Sequence, residues 1–575
     1  MGHNRQHSDV IREPLEGLAS ALPDWLLAFV ARSHVHACAL LVLISLVCFL
    51  PGFASLPPMD RDEPRFAQAS KQMLETGDFV DIRFQNEARH KKPVGIYWLQ
   101  SAAVSVGEAL GVPEARATIA LYRVPSLFGA LATVLLTYWA ALAFVAQREA
   151  FLAAAFMAAS VILTAEAHLA KTDAMLAACS VATMGALARA WFARGGMRLP
   201  TTTVLVFWGG VAMGVLIKGP LVPVFASLCA IVLSIHERSA RWLLSLRPGL
   251  GILLTLLTVA PWFVVIALKS GGAFFHASIG DDLLGKVATG QQHHWAPPGF
   301  YLVAFFATFW PAATFAALAA PYVWQRRRED RFTFVLAWTV PTWIIFEAVS
   351  TKLPHYVLPL YPAIAIATVM AMARGAIRPH HWGAKAIALG ISFVPLSLML
   401  GLAFVAWHFE GQLPLAGLAL LAVATFLTVQ AWRSFTHNEV ASAALTGVGA
   451  AMLVAVGALG YVQPGLSALK ISPRLAAAAS SISCEGPQLG TVGYREPSLV
   501  FLTRTDLRMF ENGRDAAVFA AAGGCRLIFI ESRHELLFRE ELTQRGVEAA
   551  LVTRVGGFNI NGGRRVDLGV YQVRP

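Results

Sequence analysis

Charge is scarce in this sequence: 14% of its 575 residues are Asp, Glu, Lys or Arg, while 56% are hydrophobic. A water-soluble chain carries about 25% charged residues, so the shortage excludes an ordinary soluble globular protein. Cysteine is sparse too. The six cysteines are too scattered for a disulfide framework or a Cys-x-x-Cys metal site. Cys38, Cys48, Cys179 and Cys229 lie in apolar runs and read as buried thiols, whereas Cys484 and Cys525 lie in a polar tail and could pair in an oxidising compartment. There is no Gly-x-Gly-x-x-Gly followed by a ribose-binding acid, which removes a dinucleotide site, and no internal repeat. Acids are the scarcer charge, 35 against 46 Lys and Arg, for a net charge of +11. In a soluble chain that excess would suggest nucleic acid. Here the basic residues sit in short loops between apolar segments, the topology signal of a membrane protein, and no nucleic-acid partner is expected.

Long apolar runs are what the chain has in abundance. A spanning helix needs about 20 apolar residues. Thirteen candidate segments meet or approach that length: 37–56, 117–146, 149–165, 173–193, 202–218, 220–236, 250–268, 299–322, 332–350, 355–373, 386–407, 413–432 and 440–462. The segment 94–111 is apolar and aromatic but broken by Gly95, Gln100 and Glu108. Loop charge decides its placement. Arg194 and Arg198, then Arg238, Arg241 and Arg247, then Arg326, Arg327, Arg328 and Arg331, then Arg374, Arg378 and Lys385 fall in alternate loops. All share the cytoplasmic face if 94–111 lies in the interface instead of crossing. The expected organisation is then a cytoplasmic segment 1–36, a transmembrane domain 37–462 whose first extracytoplasmic loop, 57–116, carries interfacial helices, and a C-terminal extracytoplasmic domain 463–575. In that tail, short strand-like runs at 488–492, 499–502, 527–530 and 566–573 alternate with helical stretches near 514–522 and 534–545, which predicts a small α/β domain.

The same parity gathers the oddly placed polar residues on one side. The 57–93 loop, the Glu166, His168, Lys171 and Asp173 loop, the Lys218-Gly219-Pro220 turn, the 269–298 loop and Thr351-Lys352-Leu353-Pro354-His355-Tyr356 all face the extracytoplasmic compartment. Ionisable groups beside a bilayer are costly unless they pair, face water or do chemistry. Asp62-Glu63-Pro64-Arg65 opens a short amphipathic helix with carboxylates able to act as base, metal ligand or acceptor contact, and with a cation suited to phosphate. Lys91 and Lys92 precede Pro93-Val94-Gly95-Ile96-Tyr97-Trp98, a headgroup-level aromatic anchor where lysines attract lipid phosphate.

These motifs resemble the aminoarabinose transferase (ArnT-like) glycosyltransferases, bacterial relatives of the protein O-mannosyltransferases. The resemblance runs in order from Asp62-Glu63-x-Arg65 through Lys92-Pro93, His168 to Asp173, and Lys218-Gly219-Pro220 to Lys352-Leu353-Pro354-His355-Tyr356. It implies a GT-C fold: an α-helical polytopic bundle, interfacial helices in the first periplasmic loop and a small C-terminal α/β domain. It further implies a sugar carried on polyprenyl phosphate, transferred with inversion to lipid A or another envelope glycan outside the inner membrane. Asp62 and Asp173 match the catalytic acids. Arg65 and Lys92 match the cations that hold the donor's phosphate, with Tyr356 nearby; Lys286 is a further candidate phosphate contact, and Glu63, Lys352, His293 and His294 are candidates for other substrate contacts. Lys91 stands where relatives carry an acid and Val94 replaces a second proline. A divalent metal is left open, with His293 and His294 as its candidates, although two adjacent histidines seldom hold one ion unaided. No second Asp-x-Asp pair suggests a nucleotide-diphosphate donor. The alternatives are transfer to protein, or, from a different class, a secondary transporter or flippase; the latter usually places its charges at the bilayer midplane between paired repeats.

Overall fold

The computed structural model describes residues 25–59, 62–194, 198–285, 295–483 and 486–573. Helices occupy all thirteen predicted stretches. Among the described residues, eight are long and apolar enough to cross a membrane, or nine if Gln147–Ala158 and Val161–Ala167, bent by 60°, form one span. The protein is a multi-pass membrane protein. Gly95–Ala109 is not among the spans; it packs on Asp62–Thr76 through Ser70 and Gln100 (2.7 Å) and the stacked rings of Phe66 and Tyr97.

Small residues set the core. In Gln147–Ala158, every residue from Ala150 to Ala158 is buried, as expected of a helix that is apolar all round. Close approach of Ile119–Ala141 to Asp173–Phe192 depends on Gly129, where an added Cβ would lie 2.7 Å from the Met175 nitrogen. That contact holds the start of the second helix, and with it Asp173, against the first.

Polar contacts sort the loops into two groups, as charge parity predicts. At one end, Arg194 binds Glu237 and Asp330, Arg374 and Arg326 bind Glu329, and Arg331 donates to the Phe144 carbonyl. At the other end, Lys218 reaches Asp173, His355 approaches both Glu166 and Asp173, and His168 bonds the Pro51 carbonyl at 2.8 Å.

The C-terminal unit joins that second end. Strands β1 (Arg83–Phe84) and β2 (Glu87–Ala88) form a small hairpin in the first loop. The tail builds a five-stranded sheet from β3 (Gln488–Val492), β4 (Arg508–Phe510), β5 (Arg526–Glu531), β6 (Ala549–Asn559) and β7 (Arg564–Val573), ordered β4-β3-β5-β7-β6. β3, β4 and β5 run parallel; β7 and β6 are antiparallel. The predicted strand at 499–502 is instead the helix Pro497–Leu502. Proline in its first turn favours the helix, and Phe501 meets Tyr122 edge-on at 5.2 Å. β4 and β6 were not anticipated. The unit docks on Asp62–Thr76 through Lys71 to the Phe501 carbonyl (3.0 Å), Gln68 to Thr505 (2.7 Å) and Thr505 to Glu75 (2.8 Å). Cys525 is disulfide-bonded, and Cys38, Cys48, Cys179 and Cys229 are free; Cys484 lies outside the described residues.

Candidate active site

Asp62 and Glu63 open the helix Asp62–Thr76, where carboxylates complement the exposed N–H groups of a first turn. Their side chains diverge. Glu63 is sealed from solvent and ion-pairs with the equally buried Arg123. Arg123 donates to both Glu63 oxygens (2.7 and 3.0 Å) and to the carbonyls of Phe53, Leu56 and Pro57. Glu63 also accepts the N–H groups of Met59 and Ala170, each at 3.0 Å. A guanidinium has five N–H donors, and all five are used. The knot ties together the first loop, the helix behind it, Ile119–Ala141 and the 168–172 loop. Glu63 is therefore a positioning residue; the expectation that it contacts substrate is corrected, because no face of it is open.

Asp62 points the other way, its side chain 49% exposed, with Arg89 at 3.8 Å and Arg65 at 4.0 Å. Half of that side chain thus remains accessible to solvent. It lines a pocket with Phe66, Arg89, Lys91, Lys92, Lys171, Thr172, Asp173, Lys218, Asp282, Thr351, Leu353, His355 and Tyr356. Five cationic side chains thus converge with three carboxylates. Lys92 pairs with Asp282, on the π-helix His276–Leu284, and Lys218 with Asp173. His355 bridges Glu166 (3.5 Å) and Asp173 (3.7 Å), and the Lys218 ammonium sits 5.5 Å from the centre of the Tyr356 ring. Arg89 lies 5.0 Å over the Phe66 ring. Burial, reinforced by Arg89, holds the Lys91 ammonium below the ordinary lysine pKa, against the opposing pull of Asp282. Such a pocket suits an anionic group seated beside an open carboxylate.

Asp62, Lys92, Asp173 and Tyr356, far apart in sequence, meet here as predicted, and Arg65 stands beside Asp62. Lys352 does not join them: it is buried and donates to the Val349 carbonyl at 2.6 Å, while its neighbours Thr351 and Leu353 form the wall. A lysine tethered to backbone is a loop fastener, which corrects its assignment to substrate. Lys286, His293 and His294 lie outside the described residues. Arg89, Asp282 and His355 were missed as site residues. Arg89 and Asp282 stand in no motif, and His355 fills the variable position of its motif. Lys218 and Lys171 were signalled only by their loops. Among the described residues no three His, Cys, Asp or Glu side chains gather as a metal-binding group, and the pocket's carboxylates each bind a cationic side chain.

The sequence model of the family described as dolichyl-phosphate-mannose-protein mannosyltransferase matches residues 59–272, the stretch holding Asp62, Lys92, Asp173 and Lys218. Among curated proteins, the chain is 27% identical over 347 residues to the undecaprenyl phosphate-alpha-4-amino-4-deoxy-L-arabinose arabinosyl transferase of Erwinia tasmaniensis, covering 60% of this chain and 58% of that one. The protein of the same name from Pectobacterium atrosepticum is 27% identical over 312 residues, 53% of each chain. The match thus spans between half and three fifths of the length of these relatives. Among solved structures, ArnT from Cupriavidus metallidurans bound to undecaprenyl phosphate aligns with a TM-score of 0.71 at 19% identity, over 92% of this chain and 97% of that one. The chain shares the fold of ArnT. That fold is a membrane helix bundle with a small C-terminal sheet unit, and the charged pocket is lined by residues of the bundle and its loops.

Proposed function

We propose that the chain is a glycosyltransferase of the bacterial inner membrane that moves a sugar from a polyprenyl-phosphate donor to lipid A or another envelope glycan. Its N-terminus would face the cytoplasm, and the domain 463–575 the periplasm, with the bundle 37–462 between. The observation that carries the proposal is the convergence of Arg89, Lys91, Lys92, Lys171 and Lys218 beside the accessible carboxylate of Asp62. Breaking a sugar–phosphate bond develops negative charge on the departing phosphate, and cations already fixed there lower the barrier. Lys92, Lys218 and Tyr356, with Arg65 at the rim, hold that phosphate. Asp62 orients the acceptor nucleophile or takes its proton, and attack on the opposite face of the anomeric carbon inverts it in one displacement. Asp173, fixed by Lys218 and His355, keeps the lysine aimed. The relatives, named as transferases of an undecaprenyl-phosphate-linked aminoarabinose, support this donor class. The name of the matching family favours a second reading, in which the acceptor is a protein hydroxyl.

Purified chain in lipid nanodiscs, given an undecaprenyl-phosphate sugar and lipid A, should yield glycosylated lipid A by mass spectrometry. Asp62→Asn should lower the rate at least about a hundredfold while leaving the melting midpoint unchanged, since the Asp62 side chain is half exposed and the amide is isosteric with the carboxylate. Undiminished transfer by that variant would end the assignment. Product appearing on co-purified envelope proteins and not on lipid A would select the second reading.

A further inference from the structure

The C-terminal sheet has a crevice of its own. Its parallel strands run in the order β4-β3-β5, so the chain leaves β3 to one side for β4 and then returns across it to β5. In open α/β sheets such a reversal opens a gap beyond the carboxyl ends of the two diverging strands, where ligands bind. That gap is present: a cavity of about 460 Å³ follows β3 at Gly493–Glu496 and β5 at Arg533 and His534. The volume lies within the range of small-molecule sites.

The crevice is built to hold guanidinium groups in place. Glu531, buried beneath it, takes both forks of Arg564 and pairs with Arg533 at 3.1 Å. Gly493 permits this, because at φ +81° an added Cβ would lie 2.4 Å from a Glu531 oxygen. Arg495 rises from the opposite lip against Glu511, a carboxylate whose side chain is 79% exposed and free to be displaced. Glu496 is occupied by the amides of Asn559 and Asn561 (3.0 and 2.8 Å). Burial and then the nearby Arg533, with Arg564 and Arg495, hold the His534 pKa below its ordinary value against Glu531 alone. Three guanidinium groups thus stand around one crevice, each set by a carboxylate.

The crevice borders a second, smaller hollow. Glu496 and Asn559 line both, and the hollow is bounded by Met59, three residues ahead of Asp62. The forks of Arg495 and Arg533, suited to phosphate oxygens, and the side chain of Asn559 thus line one crevice. We propose that this crevice is a second binding site, taking a phosphorylated saccharide, and that it seats the acceptor headgroup; only the word acceptor rests on the glycosyl-transfer reading.

The test is hydrogen–deuterium exchange of the full-length protein in nanodiscs, titrated with D-glucosamine 1-phosphate and, separately, with inorganic phosphate. Peptides covering 493–497 and 532–536 should gain protection with the sugar phosphate, and also in the Asp62→Asn variant. Arg495→Gln/Arg533→Gln should weaken that protection about tenfold or more, and Arg495→Lys/Arg533→Lys should recover part of it. Neither variant strips Glu531 of Arg564, so the fold is retained. Absence of protection at these peptides up to millimolar ligand overturns the site, as does undiminished protection in the glutamine variant. Equal protection by inorganic phosphate overturns the saccharide assignment. Protection that persists while Asp62→Asn still transfers sugar would keep this site and sink the catalytic reading, so the two failures are separable.

Discussion

The Glu63–Arg123 knot offers the sharpest quantitative test of how the pocket is held. Each partner is fully enclosed, so removing one strands the other's charge away from water. Glu63→Ala leaves Arg123 with three carbonyl partners but no counter-charge; Arg123→Met leaves the carboxylate with only the Met59 and Ala170 N–H groups. Either should cost about 3–5 kcal/mol, the penalty for breaking a buried pair. Replacing both by methionine removes the stranded charge. That double variant should be more stable than the sum of the single effects predicts, with a coupling of roughly 1–3 kcal/mol. Unfolding in mixed micelles, followed by circular dichroism against denaturing detergent, gives the comparison. Single variants within about 0.5 kcal/mol of wild type, the range of ordinary surface changes, would refute the claim that the pair is a dry, satisfied junction.

Other outcomes follow from the same geometry. Lys92→Ala and Lys218→Ala should each slow transfer by about 10²–10³-fold, mainly in kcat, because each removes a cation aimed at developing charge; single-turnover assays with donor in excess would check this. Lys91 carries a charge below its pKa and loses it above. Since that pKa is lowered by burial and Arg89, donor affinity should fall as pH rises before an ordinary lysine would titrate. Titrating donor binding across the alkaline range should show this limb in wild type and not in Lys91→Met. At Gly129, alanine would push into the Met175 backbone; overpacking of this kind costs about 1–3 kcal/mol, visible as a lowered unfolding midpoint. Wild-type stability there would show that the two helices have slack.

Legibility followed the range of the interactions involved. The apolar helices, the exclusion of Gly95–Ala109 from the spans and the strands β3, β5 and β7 were readable because run length, interruptions and loop charge are local properties of the chain. The helix Pro497–Leu502 was misread since four consecutive apolar residues satisfy either period, and docking of Phe501 on Tyr122 decided between them. The site was legible in part. Asp62, Lys92, Asp173 and Tyr356 sit in motifs, whereas Arg89 and Asp282 have no local signature.

What the sequence determined by itself is which segments must leave water and which polar groups must share an end of the bundle. Only the tertiary structure decided the partners: Glu63 turned inward to Arg123 while adjacent Asp62 stayed open, and Lys92 met Asp282 across 190 residues. Neighbours on a helix point about 100° apart, so one residue can be sealed and the next exposed. A charge pair is made by proximity in space, which chain order does not encode.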